Sequence, residues 1–483
     1  MCNTRLALVL IGSLLAASAT HAATSDTVEK RIQAVIHGLS PAVEIKGKPP
    51  VRSSLADEMK AMHVPGVAIA VIRGGHVDWA QGFGVTRKDS DAVTADTLFQ
   101  AGSVSKPVAA MAALKLVQDG RLTLDTDINA TLKTWKLPSS AYTAQTPVTL
   151  RTLLSHTASM TVHGYQGYAA GEAVPTLTQV LNGVAPANSK PVIVDGPVGK
   201  AYRYSGGGYV IAQQMMIDAT SASFPTLVRD EVFKPIGMNR STEDQPLDAA
   251  RQAHAAWPHD SAGKPVSGGP HTYPEIAPAG LWTTANDLAR FVIDLQQAAQ
   301  GKEGHVLSPT MAKLMVAPVK DGYGLGVSVR GAASAPYFFH DGANAGYKAT
   351  MLGYLKSGDG MVVLTNGDQG YELGQKIARA VAMAYGWPDL HPVERAAIDL
   401  PASDLAKYVG SYELQGVGDF EIRLLGKGLV AEIWKGVVDP LYVESTGRFF
   451  MTSHDLVLTF DGPDRGTIAL DDFKGTFTRA AKP

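Results

Sequence analysis

The stretch FQAGSVSKPVAAMAALKLV, residues 99–117, places Lys106 at the head of a long apolar run. Pro107 is tolerated only near the start of a helix, because it has no N–H to give the preceding turn. The helix therefore begins at or just before Ser103. Residues three apart share a helix face, so the Ser103 hydroxyl and the Lys106 amine stand one turn apart. At a helix mouth the free backbone N–H groups and the helix dipole favour negative charge, and an oxyanion forming beside Ser103 would find donors there. Lys106 lies one turn deeper. Burial disfavours its charged form, so its amine can share or accept the proton of Ser103. A second Ser-x-x-Lys, Ser261-Ala262-Gly263-Lys264, falls in a Gly/Pro loop with no helix to fix its geometry.

The surrounding pattern predicts strands on both sides of a large helical insertion. Residues 63–85 read as two apolar strands joined at Gly74-Gly75, the first a continuous run from Val67 to Ile72 suited to burial on both faces. Residues 26–39 suit a short amphipathic helix, and 103–300 are helix-rich. Thr284 followed by Asp287 resembles a capping box. Strands return at 322–331, 347–355 and 360–366, followed by a helix at 372–386. The expected fold class is α+β: an antiparallel sheet flanked by helices, with a large helical subdomain. Beyond a proline-bearing linker at 391–401, alternating segments such as 420–434 and 448–462 mark a small all-β, barrel-like domain at 402–483. The main domain is expected at 23–390.

Arg5, the apolar stretch 6–19 and the small residues Thr20-His21-Ala22 form a secretory signal peptide over residues 1–22. The stretch is too short to span a bilayer, so no stable membrane anchor is expected after cleavage. The only cysteine, Cys2, would leave with it, which excludes disulfides, thiolate metal sites and a cysteine nucleophile from the mature chain. A secreted protein of a bacterial periplasm is expected. A net charge of -2 gives no reason to expect nucleic acid as a partner.

Two further stretches join the Ser103 motif: YRYSGGGYVIAQQM (202–215), with Tyr204-Ser205-Gly206 before a helix, and FFHDGANAGYKATM (338–351), with His340-Asp341-Gly342 at a strand. Ser-x-x-Lys, then Tyr-x-Asn, then Lys-or-His-x-Gly, in that order, resembles the serine β-lactamase and penicillin-binding-protein-like superfamily in its class C and esterase branch. The phrases VPGVAIAVIRGG, LLSHTASM, GLWTTANDLARF and HDGANAGY fit it over residues 55–390. The resemblance implies that Ser103 is the acylated nucleophile, that Lys106 helps take its proton, and that Tyr204 acts as general base under the positive charge of Lys106. It further implies an oxyanion hole of the Ser103 and Ala343 backbone N–H groups, and substrate contacts at His340, Gly342, Gly206 and Tyr347. Gly206 stands where such β-lactamases carry an asparagine, and His340 where they carry a lysine that meets the β-lactam carboxylate. Histidine is shorter and mostly neutral at pH 7, so both departures turn the expectation toward small esters or D-amino-acid amides and peptides. A β-lactamase or D,D-peptidase, and a non-catalytic wall-binding or sensor protein, are the alternatives. The C-terminal domain resembles a lipocalin-like barrel, with three roles open to it: holding a ligand, covering the active site, or packing alone.

Other features carry weaker chemistry. Ser155-His156 are adjacent and do not face each other on a helix. His254, His259 and His271 lack metal-ligand spacing, so neither metal nor organic cofactor is expected. Tyr165, Tyr168, Trp282 and Tyr347 are candidates for a cleft wall, Tyr347 foremost.

Overall fold

The first apolar run forms a strand with only its last residue exposed, β1 (Gly66–Arg73), and turns at Gly74 and Gly75 into β2 (His76–Gly84). Both glycines have positive φ, +57° and +80°, which suits the tight turns that match strand twist. The remaining strands of this sheet come from far along the chain: β3 (Ser328–Arg330), β4 (Tyr337–Asn344), β5 (Tyr347–Tyr354) and β6 (Gly360–Thr365). The sheet is antiparallel throughout, in the order β2-β1-β6-β5-β4-β3. Its closure rests on β1 against β6, with Val67 opposite Thr365. Of the segment expected as a strand at 322–331, only β3 joins this sheet, while Tyr323 makes isolated bridges to Lys320 and Ser328.

The computed structural model describes residues 27–87, 90–470 and 473–480; the expected signal peptide lies outside them. The chain forms two compact units. One contains Ala56–Gln375, the other Lys30–Leu55 together with the chain from Lys376 onward. This differs from the expected division at residue 390. The reason is a short parallel pair, Val43–Ile45 with Val393–Arg395 inside the expected linker, whose Val43 is buried with Phe450 and Val457.

In the first unit, three long helices fill the insertion and its flank: α1 (Ser105–Gln118), α2 (Gly206–Thr220) and α3 (Ala285–Ala299). α1 and α2 are buried along almost their whole length. α3 is amphipathic and lays its apolar face on β1, β5 and β6. Thr284 caps it, accepting from the Asp287 N–H at 3.1 Å. The reciprocal half of the expected capping box is absent, because the Asp287 carboxylate instead accepts from the Arg240 and Ser241 N–H groups at 2.9 Å.

The second unit carries a closed barrel of eight antiparallel strands running in chain order from β7 (Gly410–Leu414) to β14 (Phe473–Arg479). Its turn at Gly426-Lys427 falls where the sequence placed a hairpin. Inward residues alternate along the strands and fill the lumen: Tyr412 stacks on Phe420 at 5.3 Å, and Phe449, Leu458, Ile468 and Phe477 complete the core. A barrel this small is filled by its own side chains, but the same unit carries a cavity of about 700 Å³ lined by Arg395, Gln415, Arg448, Asp455, Thr467 and Lys474 among others, so the ligand-holding role stays open.

Candidate active site

The turn that presents Ser103 is Gly102–Val104, a single 3-10 turn leading into α1. Gly102 has φ +50°, and a Cβ there would lie 2.6 Å from the Ala343 nitrogen. Ser105 pins the turn: its hydroxyl donates to the Gly102 carbonyl at 2.6 Å and accepts from the Leu281 N–H at 3.0 Å. Behind it, Lys106 is 1% exposed. Its Nζ donates to Ser103 Oγ at 2.9 Å and to the Pro278 carbonyl at 3.1 Å. Among the described residues no carboxylate shares the amine, and burial draws its pKa down to about 7. A near-neutral lysine touching a serine hydroxyl is a base in place.

Tyr204 forms the second wall, with its ring 4.8 Å from Lys106 Nζ and its hydroxyl hydrogen-bonded to Ser103. Burial pushes the phenol well above its usual range, and the bond to Ser103 only partly offsets this. The expectation had the Lys106 charge holding Tyr204 down as a base; burial acts in the opposite direction on the phenol. The next residue, Ser205, caps α2, accepting from the Gly208 N–H at 3.2 Å and donating to the Thr161 carbonyl at 2.8 Å.

His156 holds Tyr204 from both sides. The Arg203 N–H donates to the His156 carbonyl at 2.7 Å, and the Ser205 N–H donates to His156 Nδ1 at 3.1 Å. Between these bonds the imidazole lies on the Tyr204 ring, centroids 4.3 Å apart. An accepting Nδ1 assigns the proton to Nε2. Burial, then the Lys106 charge, keeps the ring neutral by lowering its pKa well below the usual value. His156 has φ +58°, a conformation costing about 1 kcal/mol or more. His156→Ala is therefore expected to lower kcat about 10²-fold with KM changed less than about threefold. His156→Asn, whose amide oxygen can accept from Ser205, should recover part of kcat. Steady-state kinetics on a soluble ester check both. Ser155 forms no dyad with it: its hydroxyl donates to the Arg151 carbonyl at 2.8 Å.

The third wall is β4. His340 is buried, its Nε2 3.2 Å from the Tyr323 hydroxyl and its Nδ1 2.6 Å from the Asp341 carbonyl. Burial and the Lys106 charge lower its pKa to about 3, so it is a neutral ring at physiological pH. A Cβ on Gly342 would lie 1.9 Å from the Ala101 carbonyl and 3.0 Å from the Ser103 nitrogen. Glycine is thus required for the strand to approach the Ser103 turn, a different reason from the expected approach of substrate. This close seating sets Ser103 and Ala343 on the wall of the same cavity.

Ser103, Tyr204, His340, Gly342 and Ala343 line one cavity of about 460 Å³. Its aromatic walls are His163, Tyr202, Tyr323, Phe339 and Tyr371, none singled out in the sequence as a site residue. Tyr202 was within reach of sequence reasoning, two residues before Tyr204; His163 and Tyr371 sit in unpatterned stretches. Two expected substrate contacts fall elsewhere. Gly206 begins α2 with its open face covered by the Tyr165 ring and the His163 carbonyl, 3.1 and 3.2 Å from where a Cβ would stand. Tyr347 is fully buried, its hydroxyl donating to the Ala256 carbonyl at 2.6 Å and its ring edge-on to Trp282. Tyr165 and Trp282 line other cavities, and the Tyr168 hydroxyl accepts from the Asn188 N–H at 3.0 Å. His259 and His271 each turn Nδ1 to a backbone carbonyl, of Asn366 and Gln166.

Comparison with known proteins follows the same outline. The Beta-lactamase family model matches residues 51–385. Penicillin-binding protein 4 of Amycolatopsis lactamdurans is 28% identical over 377 residues, 73% of this chain and 94% of that one. Penicillin-binding protein 4* of Bacillus subtilis (strain 168) is 23% identical over 426 residues, 81% and 89% of the two chains. Among solved structures, the octameric penicillin-binding protein homologue from Pyrococcus abyssi superposes with TM-score 0.61 at 20% identity, covering 87% of this chain and 98% of that one. The D-amino acid amidase from Ochrobactrum anthropi SV3 superposes with TM-score 0.56 at 19% identity, covering 74% and 99%. At such identities the structures share the fold.

Proposed function

Because the chain belongs to the β-lactamase family, a family of serine hydrolases, we propose that it hydrolyses small esters or D-amino-acid amides and peptides through an acyl-enzyme on Ser103. The observation that carries this reading is the 2.9 Å bond between Lys106 Nζ and Ser103 Oγ, made by an amine whose pKa burial has brought to about 7. With Lys106 unprotonated, Ser103 Oγ attacks the carbonyl carbon and its proton passes to Nζ. The developing oxyanion lies against the Ser103 and Ala343 N–H groups. The Lys106 proton then reaches the leaving oxygen or nitrogen by way of the Tyr204 phenol, which gives one proton and takes another. The C–O or C–N bond breaks and the acyl group stays on Ser103. Water attacks the ester so formed, the same groups removing its proton and returning one to Ser103.

The substrate side of the proposal is supported by the cavity wall. His340 is neutral and, among the described residues, no lysine or arginine lines the cavity, so a carboxylate of the kind a β-lactam carries finds no partner there. The likeness to the D-amino acid amidase supports the amide branch. The names of the penicillin-binding relatives favour the second reading, a β-lactamase or D,D-peptidase acting on cell-wall peptides. The basic, then apolar, then small-residue character of 1–22 supports secretion to a bacterial periplasm.

The test is covalent trapping. An alkyl fluorophosphonate should add one phosphonyl mass to the peptide containing Ser103 and abolish hydrolysis of p-nitrophenyl acetate. An unlabelled Ser103 in a protein without turnover would favour the binding or sensor alternative. Efficient opening of a penicillin would favour the second reading.

A further inference from the structure

The cavity beside Ser103 holds one carboxylate. Asp341 lies on β4 between His340 and Gly342 and lines the same chamber. Thr350 Oγ1 donates to its Oδ1 at 2.7 Å, which fixes the carboxyl plane. No protein donor reaches Oδ2 among the described residues. Its charge is felt at the Tyr204 phenol, so it stands within electrostatic range of the reacting groups. Outside the chamber, Arg330 sits 4.4 Å over the Phe339 ring, and its field favours the ionised carboxylate. Burial raises the Asp341 pKa only to about 6, so it is anionic at neutral pH. A chamber with a fixed anion, aromatic walls and no lining cation repels a carboxylate and favours an ammonium.

We propose that Asp341 receives a free ammonium group of the substrate, so that the preferred substrates are esters or amides whose acyl part is an amino acid with an unblocked amine. This rests on the serine-hydrolase reading and narrows it. Thr350 then acts as a positioning residue for the carboxylate. Acylation of the substrate amine removes the charge and adds bulk against Asp341, so blocked substrates are discriminated against.

The experiment compares D- and L-alanine p-nitroanilides with their N-acetyl derivatives, in the full-length mature protein and in Asp341→Asn, with p-nitrophenyl acetate as a neutral reference. The wild-type protein should show kcat/KM at least tenfold higher for the free-amine form of the preferred enantiomer, most of it in KM. Asp341→Asn keeps the acceptor for Thr350, and the ratio should fall toward one. A wild-type ratio near or below one, or a ratio that survives the substitution, would overturn the proposal. A readout independent of the variant is inhibition of p-nitrophenyl acetate hydrolysis by D- or L-alaninamide: the free amide should compete at least tenfold better than its N-acetyl form, and equal inhibition counts against the ammonium site. If p-nitrophenyl acetate turnover does not depend on Ser103, the serine-hydrolase reading itself falls and takes the proposal with it, an outcome distinct from the other two.

Discussion

Ser103→Ala is expected to lower kcat/KM for p-nitrophenyl acetate by at least about 10⁴-fold, with the folded protein's melting temperature within a few degrees of wild type. The size follows from the chemistry: without Oγ there is no acyl-enzyme, and only the N–H groups of residues 103 and 343 and the cavity walls remain to help a water attack directly. The small stability effect follows from the packing. The Ser103 hydroxyl accepts from Lys106 and bonds to Tyr204, whereas the turn is held by Ser105 and by Gly102 and Gly342 against their neighbours. Purified wild type and variant, assayed side by side and melted by circular dichroism, check both halves. Retention of even a tenth of the activity would mean that another residue carries the nucleophile.

Lys106→Met should separate activity from stability. The loss of the base costs at least about 10³-fold in kcat. The same change removes an amine that the fold buries without a carboxylate partner, and replaces it with an apolar chain of similar length. A gain of about 1–3 kcal/mol at pH 7 is expected, reduced by the unpaired Pro278 carbonyl. The gain should depend on pH with a definite sign. The Lys106 pKa is 10.5 as an ordinary amine and about 7 in the fold. Between those values the unfolded chain binds more protons, so wild-type stability rises with pH across that window. The advantage of the methionine variant is therefore largest at and below about pH 7 and shrinks toward pH 10. Urea unfolding at pH 6.5 and 9.5 measures the difference; a gap independent of pH would mean that Lys106 is not the group titrating. The acid limb of wild-type kcat/KM should share the midpoint near pH 7.

What was legible in the sequence was what depends on local spacing. Ser103 and Lys106 are three apart at a helix mouth, and that spacing alone sets their contact. The alternation at 420–434 and the Gly74-Gly75 turn were read correctly for the same reason. The substrate contacts were less legible, because a motif gives an order of residues and not the direction of each side chain. Gly206 and Tyr347 stand at motif positions, yet one is covered by Tyr165 and the other reaches into the core toward Ala256. His156 was passed over because its role exists only through bonds to Arg203 and Ser205, nearly fifty residues away. The partnership of residues 30–55 with the C-terminal unit was hidden likewise: three-residue strands have no period to detect.

The pairing of Val67 with Thr365 has a consequence for how the molecule is made. β1 is synthesised early, but its second neighbour is among the last parts of the first unit to appear. Contacts of such long sequence separation are slow to form. Through most of its synthesis the chain carries an apolar strand with one edge open, and the Ser103 turn, which needs β4 at its side, cannot be assembled. The Ser103 turn thus waits for β4, a strand from far along the chain, before it can be seated.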